Sequence, residues 1–122
     1  MNALKSLREG LITSGGATID PSTGEQPTTG YVVSVPGAEA RTNDIPSDLE
    51  FAAWYIGRAE AILRKYAAKG LRAFLGAWQD GKHSYLDVSV IVPDRATAMN
   101  LGREYGQVAI FDLGAKAEIR LA

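Results

Sequence analysis

The chain has 122 residues, one histidine, no cysteine and a formal net charge of −1. This length suits a single domain, 1–122, that buries its own core, and the near-neutral charge makes nucleic acid an unlikely partner. Without cysteine there is no disulfide and no thiol nucleophile, and one histidine excludes a multi-histidine metal site within the chain. No apolar run approaches the roughly 20 residues of a membrane span, so we expect a cytoplasmic protein without a membrane partner.

The N-terminal third predicts one weak helix and two strands. Leucines at helical spacing predict a short helix over residues 3–11. Two apolar segments follow, residues 15–19 and 31–35, with turn-forming residues 20–27 between them. We expect these segments to form a hairpin with a long loop. The polar residues 38–46 then predict a mobile connection.

A long amphipathic helix should follow. Ser47 and Glu50 form a capping-box pattern, and Gly70 suits the end of a helix that reaches about Lys69. The apolar stripe that should cover a sheet consists of Leu49, Ala52, Ala53, Ile56, Ala59, Ile62, Leu63, Tyr66 and Ala67. Trp54 and Arg58 lie off this stripe, one turn apart. We therefore expect them to stack at the surface and to contact a partner.

The next segment predicts a β-hairpin with two different faces. Asp80-Gly81 suits a two-residue type I′ turn, which places Leu75 opposite Leu86 on an aliphatic face. The other face, called here the mixed face, then pairs Trp78 with His83, Gly76 with Tyr85, Phe74 with Asp87 and Arg72 with Ser89. This face either binds a partner or lies beneath the N-terminal residues as a second small core. The predicted partner-binding residues are Trp54, Arg58, Arg72, Trp78, His83, Tyr85 and Asp87.

The C-terminal segment completes the predicted fold. Asp94 can cap a second helix that ends at Gly106, and residues 108–113 and 117–121 have the composition of strands. The order is β-β-α-β-β-α-β-β after a weak N-terminal helix. We therefore expect an α+β fold, a single mixed or antiparallel sheet with two helices on one face.

The sequence predicts no catalytic residue, no metal and no cofactor. His83 and Asp87 are four residues apart along a strand, about 13 Å, which is too far for a hydrogen-bonded pair. Asp87 and Asp112 could share a Mg²⁺ ion only if their strands are neighbours with matching faces.

Three segments carry a resemblance to a known group of proteins. They are Gly76-Ala77-Trp78, Tyr85-Leu86-Asp87-Val88-Ser89 and the stretch from Ala98 to Leu113 that includes Leu101-Gly102-Arg103-Glu104 and Gln107-Val108-Ala109-Ile110-Phe111-Asp112. They resemble the C-terminal halves of small, uncharacterised accessory proteins of actinobacteriophages. The resemblance supplies no catalytic motif, and it implies a bacterial host cytoplasm and a host-directed binding role.

Three functional hypotheses follow. The first is a small non-enzymatic phage-type accessory protein that binds and modulates a host protein. The second is a metal-dependent enzyme that acts on a nucleotide or phosphoester through Asp87 and Asp112. The third is a self-associating scaffold, a homo-oligomer through the C-terminal edge strand, where Glu118 and Arg120 lie on one face.

Overall fold

The structure is a computed structural model and describes residues 2–121, apart from the side chain of Asn2. The helices are α1 Asn2–Ser14, α2 Asp48–Trp54, α3 Glu60–Ala67 and α4 Arg95–Glu104, and a π-helical segment, Tyr55–Ala59, joins α2 to α3. The strands are β1 Gly16–Ile19, β2 Tyr31–Ser34, β3 Ala40–Asn43, β4 Arg72–Asp80, β5 His83–Val92, β6 Ala109–Asp112 and β7 Ala117–Arg120.

These strands form one seven-stranded sheet in which every pair is antiparallel. The order is β1-β4-β5-β2-β6-β7, and β3 also pairs with β5. Because β4 runs along one edge of β5, β2 and β3 must follow one another along its other edge. The predicted α+β fold is confirmed, and the sheet is antiparallel rather than mixed.

Two predictions for the N-terminal third are wrong. The segments that form β1 and β2 do not make a hairpin, because β4 and β5 lie between them in the sheet. Residues 38–46 are not only a connection, since they contain β3. Short strands such as β1 and β2 carry little information about which strand they will pair with. The two long strands of the central hairpin offer β1 and β2 longer edges for pairing than β1 and β2 offer each other.

The central hairpin turns one residue later than the sequence predicted. Asp80 pairs with His83, so Gly81 and Lys82 are the loop residues. Gly81 has a φ of 62°, and glycine at the first loop position suits a type II′ turn. Leu75 therefore lies opposite Val88 rather than Leu86. Every partner moves by two positions, so the residues on each face stay the same and the predicted faces are confirmed.

All the helices cover the aliphatic face of the sheet. Leu7 and Leu11 of α1 belong to the same buried cluster as Leu75 and Val88 of the central hairpin. The cluster also contains Phe51, Trp54, Leu63, Tyr66 and Ala98 from the other helices. The N-terminal helix extends beyond the predicted residues 3–11, and it packs into the core on the aliphatic face.

The helix over residues 48–67 begins as predicted, but its buried stripe differs. Ser47 forms the capping box with Glu50, and the Asp94 side chain caps α4 by accepting hydrogen bonds from the backbone N–H and the hydroxyl of Thr97. The buried positions are Phe51, Trp54, Ala59, Leu63 and Tyr66, whereas Leu49 and Ile56 are exposed. The five-residue step between Trp54 and Ala59 matches the i to i+5 spacing of a π-helix. This turn changes the phase of the stripe. The prediction is therefore right for Ala59, Leu63 and Tyr66, and it is wrong nearer the start of the helix, where Phe51 and Trp54 are buried instead of Leu49 and Ile56.

Candidate functional site

The candidate site lies on the sheet surface opposite the helices, which we call the open face. It contains the mixed face of the central hairpin together with residues that the neighbouring strands bring to the same side. The strand registers add Gly16, Thr18, Val32, Ser34, Arg41, Asn43, Phe111, Glu118 and Arg120.

One end of the open face is covered. Phe74 is 1% exposed and Ile91 is also buried, although neither belongs to the core on the helical side. The connection between β1 and β2 must cross both central strands, and Gly30 at its end lies against Ile91. Arg72 lies 5.0 Å from the Phe74 ring and forms a salt bridge with Asp20 at 3.9 Å. The N-terminal residues therefore cover part of the mixed face, and Arg72 faces the segment that covers it.

The rest of the open face contains a cavity of about 430 Å³. Its polar lining includes Thr18, Gln26, Ser34, Asp87 and Ser89, and its apolar lining includes Pro27, Val32, Trp78, Phe111 and Leu113. A second cavity of about 380 Å³ shares four of these residues, including Trp78 and Phe111, and reaches Glu118. The two cavities form one concave surface that spans the centre of the sheet.

Asp87 provides the charge on the floor of this cavity. Its Oδ2 atom accepts a hydrogen bond from the Ser34 hydroxyl at 2.9 Å. Gly76 lies opposite Asp87, and a Cβ atom there would collide with the carboxylate, so glycine is what lets the carboxylate lie across β4. Burial raises the pKa of Asp87; the Ser34 hydrogen bond opposes this shift and the nearby Glu39 carboxylate adds to it.

Aromatic side chains stand beside this carboxylate. Trp78 lies opposite Tyr85, and their rings stack with centroids 4.3 Å apart and planes 14° apart. Trp78 is 46% exposed and Phe111 is 40% exposed. Stacking on Tyr85 holds the Trp78 indole in place, so the cavity has a fixed aromatic wall on one side and a second aromatic ring on the other.

Trp54 is buried and does not lie on the predicted binding surface. Trp54 is only 7% exposed, and its indole Nε1 donates a hydrogen bond to the Ala38 carbonyl at 2.7 Å. Arg58 is exposed, but it donates to the Glu39 carbonyl. The two side chains hold the bend between β2 and β3, and the prediction that they form a stacked surface pair is wrong for Trp54.

The remaining predicted residues share the open face, but not one site. Trp78, Tyr85 and Asp87 lie together, as described above. His83 lies near the hairpin turn, where it pairs with Asp80 and Asn43. Its ring Nδ1 is buried and has no hydrogen-bond partner among residues 2–121. It adjoins the site through Tyr85 and does not line the cavity.

The sequence analysis missed Ser34 and gave no binding role to Phe111. Ser34 reaches Asp87 because β2 pairs with β5, and Phe111 reaches the cavity because β6 pairs with β2. The alternation of residues along each strand fixes which side chains share a face with each other. It does not reveal which strands are neighbours, and that information was needed to find these residues.

The structure does not bring Asp87 and Asp112 together. β2 lies between their strands, and Asp112 follows Phe111, so it points away from the open face. Asp112 instead accepts a hydrogen bond from the Ala115 backbone. Within the described residues there is also no group of three or more histidine, aspartate or glutamate side chains that could hold a metal ion. The condition for the shared magnesium site is therefore not met.

Comparisons with known proteins identify no relative. No family model, no curated protein and no solved structure matches the chain. In the part of the chain that the structure describes, every helix is too short or too polar to cross a membrane.

The raised pKa of Asp87 should make the free energy of unfolding depend on pH. A raised pKa means that the folded protein binds more protons than the unfolded chain at pH values between the ordinary aspartate pKa of 3.8 and the raised pKa. The contribution of Asp87 to stability is therefore largest below the ordinary pKa and is lost as the pH rises through the raised pKa. Asp87→Asn should increase the free energy of unfolding at neutral pH and change it much less near pH 3. Urea denaturation at both pH values measures this difference; an equal effect at the two values would contradict it.

Proposed function

We propose that this protein is a non-enzymatic binding protein whose open face accepts a segment of a partner protein. The observation that carries the proposal is the concave site itself, where exposed Trp78 and Phe111 stand on either side of a carboxylate-bearing floor. Tryptophan is enriched among the residues that contribute most to binding energy, and exposed aromatic patches around a concavity are typical of interaction sites.

The resemblance to actinobacteriophage accessory proteins supports a more specific version of this function. In that version the partner is a host protein, binding occurs in the cytoplasm of the bacterial host, and the phage-type protein modulates the activity of its partner. Residues Trp78, Tyr85 and Phe111 belong both to the segments that carry the resemblance and to the site.

The test is affinity capture from an actinobacterial lysate with three forms of the protein. The open-face variant carries Trp78→Ala and Phe111→Ala. The matched control carries Leu49→Ala and Ile56→Ala, which remove two exposed apolar side chains on the helical side. Wild type and control should enrich the same host protein, and the open-face variant should lose it. Thermal melts should show that the control and open-face variants are folded.

Two outcomes would contradict the proposal. If the folded open-face variant still captures the same protein, the partner does not use this face. If the control loses the partner as completely as the open-face variant, the helical side carries the binding surface instead.

Self-association is the second candidate function, and the position of β7 favours it. β7 is the last strand of the sheet and pairs only with β6 within the described residues. Its Glu118 and Arg120 side chains form an exposed salt bridge at 3.6 Å, which gives limited protection against pairing with another strand. Light scattering over a range of concentrations tests this function, because a scaffold should gain mass as concentration rises and a monomeric binding protein should not.

A further inference from the structure

We propose that the cavity on the open face binds an arginine side chain of the partner, with the guanidinium group on Asp87 and its plane against Trp78 or Phe111. This inference rests on the proposed function and specifies the chemistry that the site recognises. It follows from the charges that face the cavity, from the aromatic walls and from the free carboxylate oxygen.

The charge around Asp87 favours a cation. Within residues 2–121, Asp87 belongs to no salt bridge. Glu39 lies close enough to influence it, and Glu118 lines the adjoining cavity. Among the arginines on this face, Arg72 pairs with Asp20 and Arg120 pairs with Glu118. Arg41 lies opposite Tyr85, but it forms no salt bridge with Asp87 and does not line the cavity. A cationic ligand would therefore supply the missing counter-charge.

The hydrogen-bond geometry leaves room for such a ligand. The Ser34 hydroxyl donates a hydrogen bond to Oδ2 of Asp87, and no donor among the described residues forms a hydrogen bond with Oδ1. A guanidinium group has five N–H donors in a rigid, planar arrangement, so it can bond the free oxygen and still reach a second acceptor. The hydroxyls of Ser34, Ser89 and Thr18 line the same cavity and offer that acceptor.

The aromatic walls distinguish arginine from other cations. Trp78 is fixed by its stack on Tyr85, and the planar guanidinium group packs on aromatic faces in a way that a lysine ammonium does not. An acidic ligand is disfavoured because it would bring a second negative charge next to a half-buried carboxylate. The same argument disfavours a nucleic acid strand, which would place phosphates beside Asp87 and Glu118.

The experiment uses small probes with the full chain. N-acetyl-arginine amide carries the proposed group, and N-acetyl-citrulline amide is a neutral control of nearly the same shape. Heteronuclear NMR follows the Trp78 indole N–H and the backbone N–H of Asp87. The buried Trp54 indole, which bonds Ala38, serves as an internal reference. We expect saturable shifts at Trp78 and Asp87 with the arginine probe, and binding weaker by about tenfold or more with the citrulline probe.

Variants locate the interaction. Asp87→Asn preserves the shape of the side chain and should weaken binding of the arginine probe by about tenfold or more, whereas Ile56→Ala on the helical side should leave it unchanged. Equal affinity for the arginine and citrulline probes would overturn the inference, because charge would then not be recognised. Tighter binding of guanosine monophosphate than of the arginine probe would also overturn it and point to a nucleotide ligand.

The failure of this inference differs from the failure of the proposed function. If capture of the host protein depends on Trp78 and Phe111 but the arginine probe does not bind, the arginine inference is wrong and the binding function remains. If the probe binds as expected but capture does not depend on the open face, arginine recognition stands and the proposed role of this face in partner binding is wrong.

Discussion

Replacing Trp54 with alanine should lower the free energy of unfolding by about 3–5 kcal/mol. The indole is 7% exposed and lies in the cluster that joins the helices to the sheet. Truncation would leave a cavity there, and it would remove the hydrogen bond from Nε1 to the Ala38 carbonyl. The substitution would also loosen the bend that connects β2 to β3, since the indole is one of the groups that hold it.

Denaturant unfolding, with two further variants, tests this prediction. Trp54→Phe retains most of the ring volume but loses the indole N–H, so it should cost less than Trp54→Ala. Arg58→Ala removes an exposed side chain and its single hydrogen bond to the Glu39 carbonyl, so it should lower the free energy of unfolding by only about 1 kcal/mol. An unchanged unfolding midpoint for Trp54→Ala would mean that Trp54 lies at the surface, as the sequence had indicated.

The incorrect prediction for Trp54 has a definite physical origin. The apolar stripe was derived with one helical period over the whole segment, and the π-helical segment Tyr55–Ala59 adds a residue to one turn. A hydrophobic pattern that is analysed with a single helical period cannot reveal such a turn. The helix starts were predicted correctly at Ser47 and Asp94, because a cap depends on contacts within three residues along the chain.

The site shows the same division between local and distant information. The faces of the central hairpin were predicted correctly. The turn lies one residue later than predicted, which shifts each cross-strand partner by two positions and leaves every side chain on the predicted face. The cross-strand partners were wrong, so the stack of Trp78 on Tyr85 and the opposition of Gly76 and Asp87 were not foreseen. Ser34 and Phe111 required knowledge of the strand order, which depends on contacts between distant parts of the chain.

Phe74→Ala and Trp78→Ala should have very different effects, although both residues lie on the same face of β4. Phe74 is 1% exposed, and its truncation should cost about 3–5 kcal/mol. Trp78 is 46% exposed, and its truncation should cost about 1 kcal/mol, chiefly from the lost stack on Tyr85. The difference arises because the connection between β1 and β2 crosses the Phe74 end of the sheet and leaves the Trp78 end open.

Urea denaturation of the two single variants and of the double variant measures these costs. The two residues are separated along β4, so their effects should add to within about 0.5 kcal/mol. Asp20→Asn removes the carboxylate that pairs with Arg72 beside the covered end, and it should weaken the protein far less than Phe74→Ala because that salt bridge is exposed on the arginine side.

A large loss of stability for Trp78→Ala would mean that the chain itself covers the cavity, and the open face would then be a second core. A small loss for Phe74→Ala would mean that the connection does not cover that end, and the binding surface would extend along the whole of β4. The expected combination restricts the surface available to a partner to the half of the sheet that contains Trp78, Asp87 and Phe111. That is the half in which the aromatic rings and the carboxylate meet at one cavity.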